Sequence, residues 1–254
     1  MKILLKLIKY IDRFLHKNFD FLEVDKSIKY NRNYEWIYDY LVNEDGLKDK
    51  TFIEVGSRDS LDTLDIISKF EFKAAYIFEP SYAGVIRCIK NIKKNRKYSE
   101  KIILYPFALG EVNGTTDFYE TIFIGKNHTS PNIGSSTIFS DESKNNIRYK
   151  VPIFTLDSLN INFKDVFLII MDCEGSELPI LKKSLKALNY SKYICLESDY
   201  LNKTKNCIAI KNFLERNNYE LISTDWPKTP IGMLPNQDKV GDSKFSLLFQ
   251  NIKI

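Results

Sequence analysis

The run Val166 to Met171, VFLIIM, holds six consecutive apolar residues with no polar break. A strand with one wet face alternates polar and apolar residues, so a run this uniform predicts a strand covered on both faces. Helices on both sides of a mostly parallel sheet supply such cover, which makes the chain an α/β protein. The rest of the sequence keeps that rhythm. Strand patterns at Thr51 to Val55, Lys73 to Phe78 and Ile102 to Phe107 alternate with helical patterns at Ser60 to Phe70 and Tyr82 to Lys94. After VFLIIM come one helix through Leu178, Ile180, Leu181, Leu185 and Leu188, a strand from Tyr193 to Leu196, a helix from Cys207 to Asn217, and strands at Tyr219 to Ser223 and Phe245 to Phe249. Right-handed crossovers follow from this order. Only the segment from Gly114 to Pro152 departs from it, with β-like pieces around the polar stretch GKNHTSPNIGSS, and it predicts a hairpin or lid.

A chain of 254 residues suffices for one large α/β domain, preceded by helical patterns over residues 1–50. The lid insertion falls near 114–152 of the domain at 51–254. Thirty-seven Lys and Arg against 33 Asp and Glu leave a net charge of +4, too small to imply a nucleic-acid partner, and no aromatic-and-basic RNA signature is present. The first 17 residues, MKILLKLIKYIDRFLHK, set apolar residues at helical spacing among lysines. This amphipathic helix suits peripheral contact with an anionic membrane, a cap on the core, or a homo-oligomer contact, and all three stay open. Cys88, Cys173, Cys195 and Cys207 show no CxxC spacing and read as reduced, structural thiols suited to the cytoplasm.

Acidic and glycine residues gather just past the apolar strands, where open α/β sheets bind ligands. Glu54 and Gly56 end the first strand, Glu79 ends the second, and Asp172, Glu174 and Glu177 follow VFLIIM. S-adenosylmethionine carries a sulfonium, an amino-acid moiety and a ribose, so its site needs close backbone approach and well-placed acceptors. Gly56 meets the first need and Glu79, 25 residues after Glu54, the second. A nicotinamide site uses the same acidic device, but GSRDS lacks the GxGxxG turn that pyrophosphate contact requires. An NAD-dependent oxidoreductase and a non-catalytic, membrane-attached binding module are the alternatives.

The pieces FIEVGSRDS, YIFEPS, FALGEVNG, VPIFTLDSL, IIMDCEGSE and CLES resemble the FkbM family of S-adenosylmethionine-dependent methyltransferases, over roughly Thr51 to Asp199. The resemblance implies a Rossmann-like methyltransferase fold with a mostly parallel seven-stranded sheet. It places Glu54, Gly56, Ser60, Glu79 and Ala108 at the cofactor. Family members usually read DVGANIG at the first turn, so Glu54 stands for Asp and Ser60 for the last glycine. Asp172 and Glu174 are the candidate catalytic carboxylates, one as base and one holding the acceptor. Glu177 suits the start of the next helix, where its charge meets the dipole. Ser135 and Ser136 of GSST, Glu197 and the lid residue His128 are candidate acceptor contacts. Glu197 and Asp199 also raise a divalent metal held by carboxylates and water, a reading less favoured than metal-free chemistry. The expected reaction is O-methylation of a small polar acceptor, a sugar or an activated glycan precursor.

Overall fold

A computed structural model describes residues 34–124, 129–131, 136–139, 146–199, 204–224 and 244–254. The amphipathic start, His128 and Ser135 lie outside these residues. A 3-10 turn at Glu35–Ile37 runs into helix α1, Tyr38–Leu41. Then β1 (Thr51–Val55), α2 (Leu61–Phe70), β2 (Ala74–Phe78), α3 (Tyr82–Lys94) and β3 (Ile102–Tyr105) alternate as the periodicity predicts. Strands β4 (Ala108–Leu109), β5 (Gly114–Ile124), β6 (Thr129–Pro131) and β7 (Asn146–Phe154) follow, before β8 (Val166–Met171) restores the alternation. Helices α4 (Glu177–Lys182) and α5 (Leu185–Leu188), strand β9 (Tyr193–Asp199), helix α6 (Thr204–Arg216) and strands β10 (Tyr219–Thr224) and β11 (Lys244–Asn251) complete the order.

Seven strands form the main sheet in the order β10-β11-β9-β8-β1-β2-β3. The pairs β3 with β2, β2 with β1, β1 with β8 and β8 with β9 are parallel, while β11 runs antiparallel to β9 and β10. This is the mostly parallel, Rossmann-like sheet expected, with helices on both faces. Ile53, Val55, Ile169 and Met171 pack on one face beneath Ile180 of α4, Leu188 of α5 and Leu214 of α6. On the other face, Phe52, Ile77, Leu168 and Ile170 pack against Leu41 of α1, Leu64 and Ile67 of α2, and Cys88 of α3. All six residues of β8 are buried, as the unbroken VFLIIM run requires.

One expectation needs correction. The single helix through Leu178 and Leu188 is two short ones, because the Asp157 carboxylate accepts from the Lys186 backbone N–H and caps a fresh helical start at α5. Ser184 Oγ, 2.7 Å from the Ile180 carbonyl, occupies the break.

The other four strands make a smaller sheet in the order β4-β7-β5-β6. Strands β5 and β7 are antiparallel over eight pairs from Gly114 with Ile153 to Thr121 with Asn146. Ala108, Phe118, Val151 and Ile153 form its own buried cluster. Strand β4, three residues past β3, carries the chain from one sheet to the other and so holds the small sheet against the edge where β1, β2 and β8 end.

Gly56 fixes that edge. Its φ of +83° lies in the left-handed region, and a Cβ there would stand 1.8 Å from the Asp172 carbonyl oxygen. The Gly56→Ala variant should lose about 4 kcal/mol or more, which a thermal melt reads as a Tm lower by roughly 10 °C or as failure to fold.

Candidate active site at the strand ends

The parallel register brings the strand-end residues to one level. Val55 lies beside Phe78 on one side and Met171 on the other, and Met171 lies beside Leu196. The next residues along the four neighbouring strands are therefore Gly56, Glu79, Asp172 and Glu197. Backbone bonds continue past the strands: Gly56 N–H donates to the Phe78 carbonyl at 2.9 Å and Asp172 N–H to the Val55 carbonyl at 2.9 Å. At the carboxyl ends of β1 and β8 the chain leaves in opposite directions, from β1 to β2 and from β8 to β9, which opens a crevice between them.

A pocket fills that crevice, enclosing about 610 Å³ of empty space with its open mouth included. Gly56, Arg58, Glu79, Ala108, Asp172 and Glu174 line it, with Phe107, Leu109 and Ile180 as apolar wall and Ser136 and Thr137 on the small-sheet side. Six sequence-nominated residues, Gly56, Glu79, Ala108, Ser136, Asp172 and Glu174, thus share one cavity.

Glu79 is 4% exposed. Its Oε2 accepts from the Arg58 backbone N–H at 2.7 Å and its Oε1 from the Ser81 N–H at 2.8 Å. Each oxygen keeps further acceptor capacity toward the pocket. Burial pushes the carboxyl up to about 7, the two N–H donors pull it down, and the charge of Glu120 adds to the rise. Gly84 of α3 packs beneath it, where a Cβ would stand 2.7 Å from the Glu79 side chain. Arg58, held protonated against its burial by Asp59, Asp62, Asp172 and Glu54, contributes a cation to the same wall.

Two nominated cofactor residues do not reach the pocket. Glu54 alternates with the pocket-side residues of β1 and faces α2, where its Oε2 accepts from Ser57 Oγ at 3.1 Å and from Thr63 Oγ1. Burial and the Asp62 charge push its carboxyl well above the usual range, and its bonds to the two hydroxyls brace the turn from beneath. Ser60 is fully buried before α2 with a φ of +63°, and its Oγ turns to the carbonyls of Asp59 and Cys88. It occupies the left-handed conformation natural to the family glycine it replaces, at a cost of about 1 kcal/mol.

The turn after β8 is braced from within. Glu174 and Gly175 both take positive φ, 52° and 99°. The buried Glu177 carboxylate turns back to accept from the N–H groups of Cys173 and Gly175 at 2.9 and 3.3 Å. Glu177 therefore starts α4, as expected, and also shapes the DCEGSE turn. Carboxylate oxygens of Asp172, Glu174 and Glu197 lie within 4.8 Å of one another and are half-buried, a set able to hold a divalent cation or a polar substrate. Thr137 Oγ1 donates to the Glu174 carbonyl at 3.3 Å, and the Thr121 N–H donates to Ser136 Oγ at 3.2 Å. Ser136 and Thr137 thereby bridge the small sheet and the acidic turn. All four cysteines are free, in keeping with reduced thiols.

Glu120 was not foreseen. This buried β5 carboxylate accepts from Ser81 Oγ and from Tyr149 Oη, each at 2.7 Å. Its one sequence signal is an acid inside an otherwise apolar-aromatic strand pattern, FYETIFI.

Among solved structures, Methyltransferase FkbM from Methylobacillus flagellatus KT superposes with a TM-score of 0.52 at 12% identity, over 79% of this chain and 44% of that one. The chain thus spans under half the length of that structure. An rRNA methylase from Streptococcus thermophilus matches at 0.49 and 10% identity over 88% and 98% of the two chains. TYW2 from M. jannaschii, in complex with AdoMet, matches at 0.47 and 12% identity over 91% and 81%. At these identities the likeness is one of fold. No curated protein matches the sequence. The Methyltransferase FkbM domain, however, matches residues 54–221, the stretch that contains every pocket carboxylate described above. The chain belongs to the FkbM methyltransferase family.

Proposed function

We propose that the protein is an S-adenosylmethionine-dependent O-methyltransferase acting on a small polar acceptor, a sugar or a phosphorylated or nucleotide-linked glycan precursor. The observation that carries the donor half is Glu79, a buried carboxylate aimed into the crevice with acceptor capacity to spare. A ribose diol offers two hydroxyl donors to such a group. Arg58 suits the donor's carboxylate, and Phe107, Leu109 and Ile180 give its adenine an apolar wall. Bound S-adenosylmethionine supplies an electrophilic methyl group on sulfur. Everything else falls to the chain: to orient both reactants, exclude water and receive a proton.

This reading gives that last task to Asp172 and Glu174, whose carboxylate oxygens lie within 4.8 Å of each other and of Glu197. One accepts the proton that an acceptor hydroxyl gives up, and the others hold neighbouring hydroxyls. Ser136, on the small-sheet side, adds a polar contact. A hydroxyl-rich acceptor suits this wall better than a flat aromatic one. The chemistry is metal-free and the location cytoplasmic in this reading, which the four free thiols suit.

Calorimetry should show binding of S-adenosylmethionine and its demethylated product; no binding of either removes the proposal. Binding needs Glu79 ionised, so affinity should hold above the carboxyl's midpoint near 7 and fall as pH drops through it. Glu79→Gln should weaken binding at pH 8 by roughly 10- to 100-fold and abolish that pH dependence. Gly84→Ala should push the Glu79 carboxyl aside and weaken donor binding about tenfold, although alanine favours the helix by about 1 kcal/mol. With a sugar acceptor, turnover should survive prolonged chelation; its loss and recovery with added magnesium would instead make Asp172, Glu174 and Glu197 metal ligands.

A further inference from the structure

The small sheet reaches into the donor site through one buried chain of hydrogen bonds. Ser81, fully buried between β2 and α3, serves two carboxylates at once. Its backbone N–H donates to Glu79 at 2.8 Å, and its hydroxyl donates to Glu120 of β5 at 2.7 Å. The same hydroxyl accepts from the Gly84 N–H at 3.0 Å, which caps α3. On its far side Glu120 accepts from Tyr149 of β7, whose hydroxyl also accepts from the Tyr82 N–H at 3.3 Å. The Tyr149 and Tyr82 rings stack at 4.5 Å between centroids and 10° between planes. Two strands of the small sheet thus close on the first turn of α3.

A carboxylate is costly to bury, and Glu120 is only 7% exposed. Two neutral hydroxyls solvate it in place of an ammonium or guanidinium. A plain latch between the sheets needs no charge at this point; a threonine or glutamine would do. What the charge adds is a field on Glu79, one residue beyond Ser81 in the bonded chain. A buried acid beside a second buried acid resists ionising.

We propose that Glu120 is a positioning residue for donor binding: it fixes Ser81, and through it the Glu79 carboxylate that accepts the donor's ribose hydroxyls, and it brings a second negative charge close to that carboxylate. The inference rests on the donor-site reading above. The other groups that bear on Glu79 are Arg58 and Asp59 from the first turn, Cys88 from α3, Tyr149 from β7 and Cys173 from the turn after β8. Of these, Glu120 is the one acid that belongs to the small sheet, so sheet placement and Glu79 ionisation are coupled through it.

Glu120→Gln keeps the size and the acceptor oxygen but removes the charge. Carboxyl ¹³C NMR on the ligand-free protein should show the Glu79 midpoint fall below that of the wild type. Calorimetric titration of S-adenosylhomocysteine from pH 5.5 to 8.5 should show the affinity midpoint fall by the same amount. Glu120→Ala removes both bonds and should weaken binding about tenfold at pH 8, with Glu120→Gln restoring most of it. A Glu79 midpoint unchanged in Glu120→Gln overturns the proposal, as does wild-type affinity in folded Glu120→Ala. If Glu120→Ala fails to fold, the Glu120→Gln titration decides alone. Because the NMR titration needs no donor, a midpoint shift accompanied by no binding in the wild type would sink the donor reading while confirming the coupling between the two carboxylates.

Discussion

The crevice depends on a contact that leaves no room for a side chain. Where β1 ends, Gly56 lies against the carbonyl of Asp172, and that approach lets two central parallel strands finish at the same level. Hydrogen bonds from Gly56 to β2 and from Asp172 to β1 then extend the sheet by one residue. Glu79 stands on one side of that glycine and Asp172 with Glu197 on the other. A pocket with acids on both sides follows from this edge, because each acid is merely the next residue along its own strand.

Charge is handled differently on the two sides. Glu79 is enclosed, and backbone N–H groups replace the water it has lost. Asp172, Glu174 and Glu197 are half-buried, where solvent moderates their mutual repulsion. A site that must recognise one fixed ligand gains from the first arrangement, and a site that must take up and release protons gains from the second. Arg58 lines the same pocket, and the charges of Asp59, Asp62, Asp172 and Glu54 favour its cation there.

How much of this could be read from residues alone depended on range. The seven strands of the main sheet were legible because unbroken apolar runs such as VFLIIM and regular helix spacing are local signals. Strand-end placement of Glu79, Asp172 and Glu197 followed from the same runs. The turn of Glu54 toward Ser57 and Thr63 was not legible because every residue of β1 is buried, so no polar-apolar alternation reveals which face an acid takes. Ser60 looked like a cofactor contact because it replaces a glycine, yet its conformation, not its hydroxyl, is what the turn requires. Glu120 and Gly84 were invisible for another reason. Their partners, Ser81 and Glu79, become neighbours only when the small sheet folds over α3, a contact between residues 39 apart in the case of Ser81 and Glu120.

The way Glu79 is held has an evolutionary consequence. Both of its donors in the fold are main-chain N–H groups, from Arg58 and Ser81, so neither grip depends on which side chain those positions carry. The first turn is therefore free to drift in sequence as long as its path is kept. A stretch reading GSRDS, whose last residue takes the left-handed conformation where relatives usually carry a glycine, can still present the same acceptor to the crevice. Recognition written in the backbone leaves a faint trace in residue identity, and relatives that share such an edge can diverge until little besides their strand order connects them.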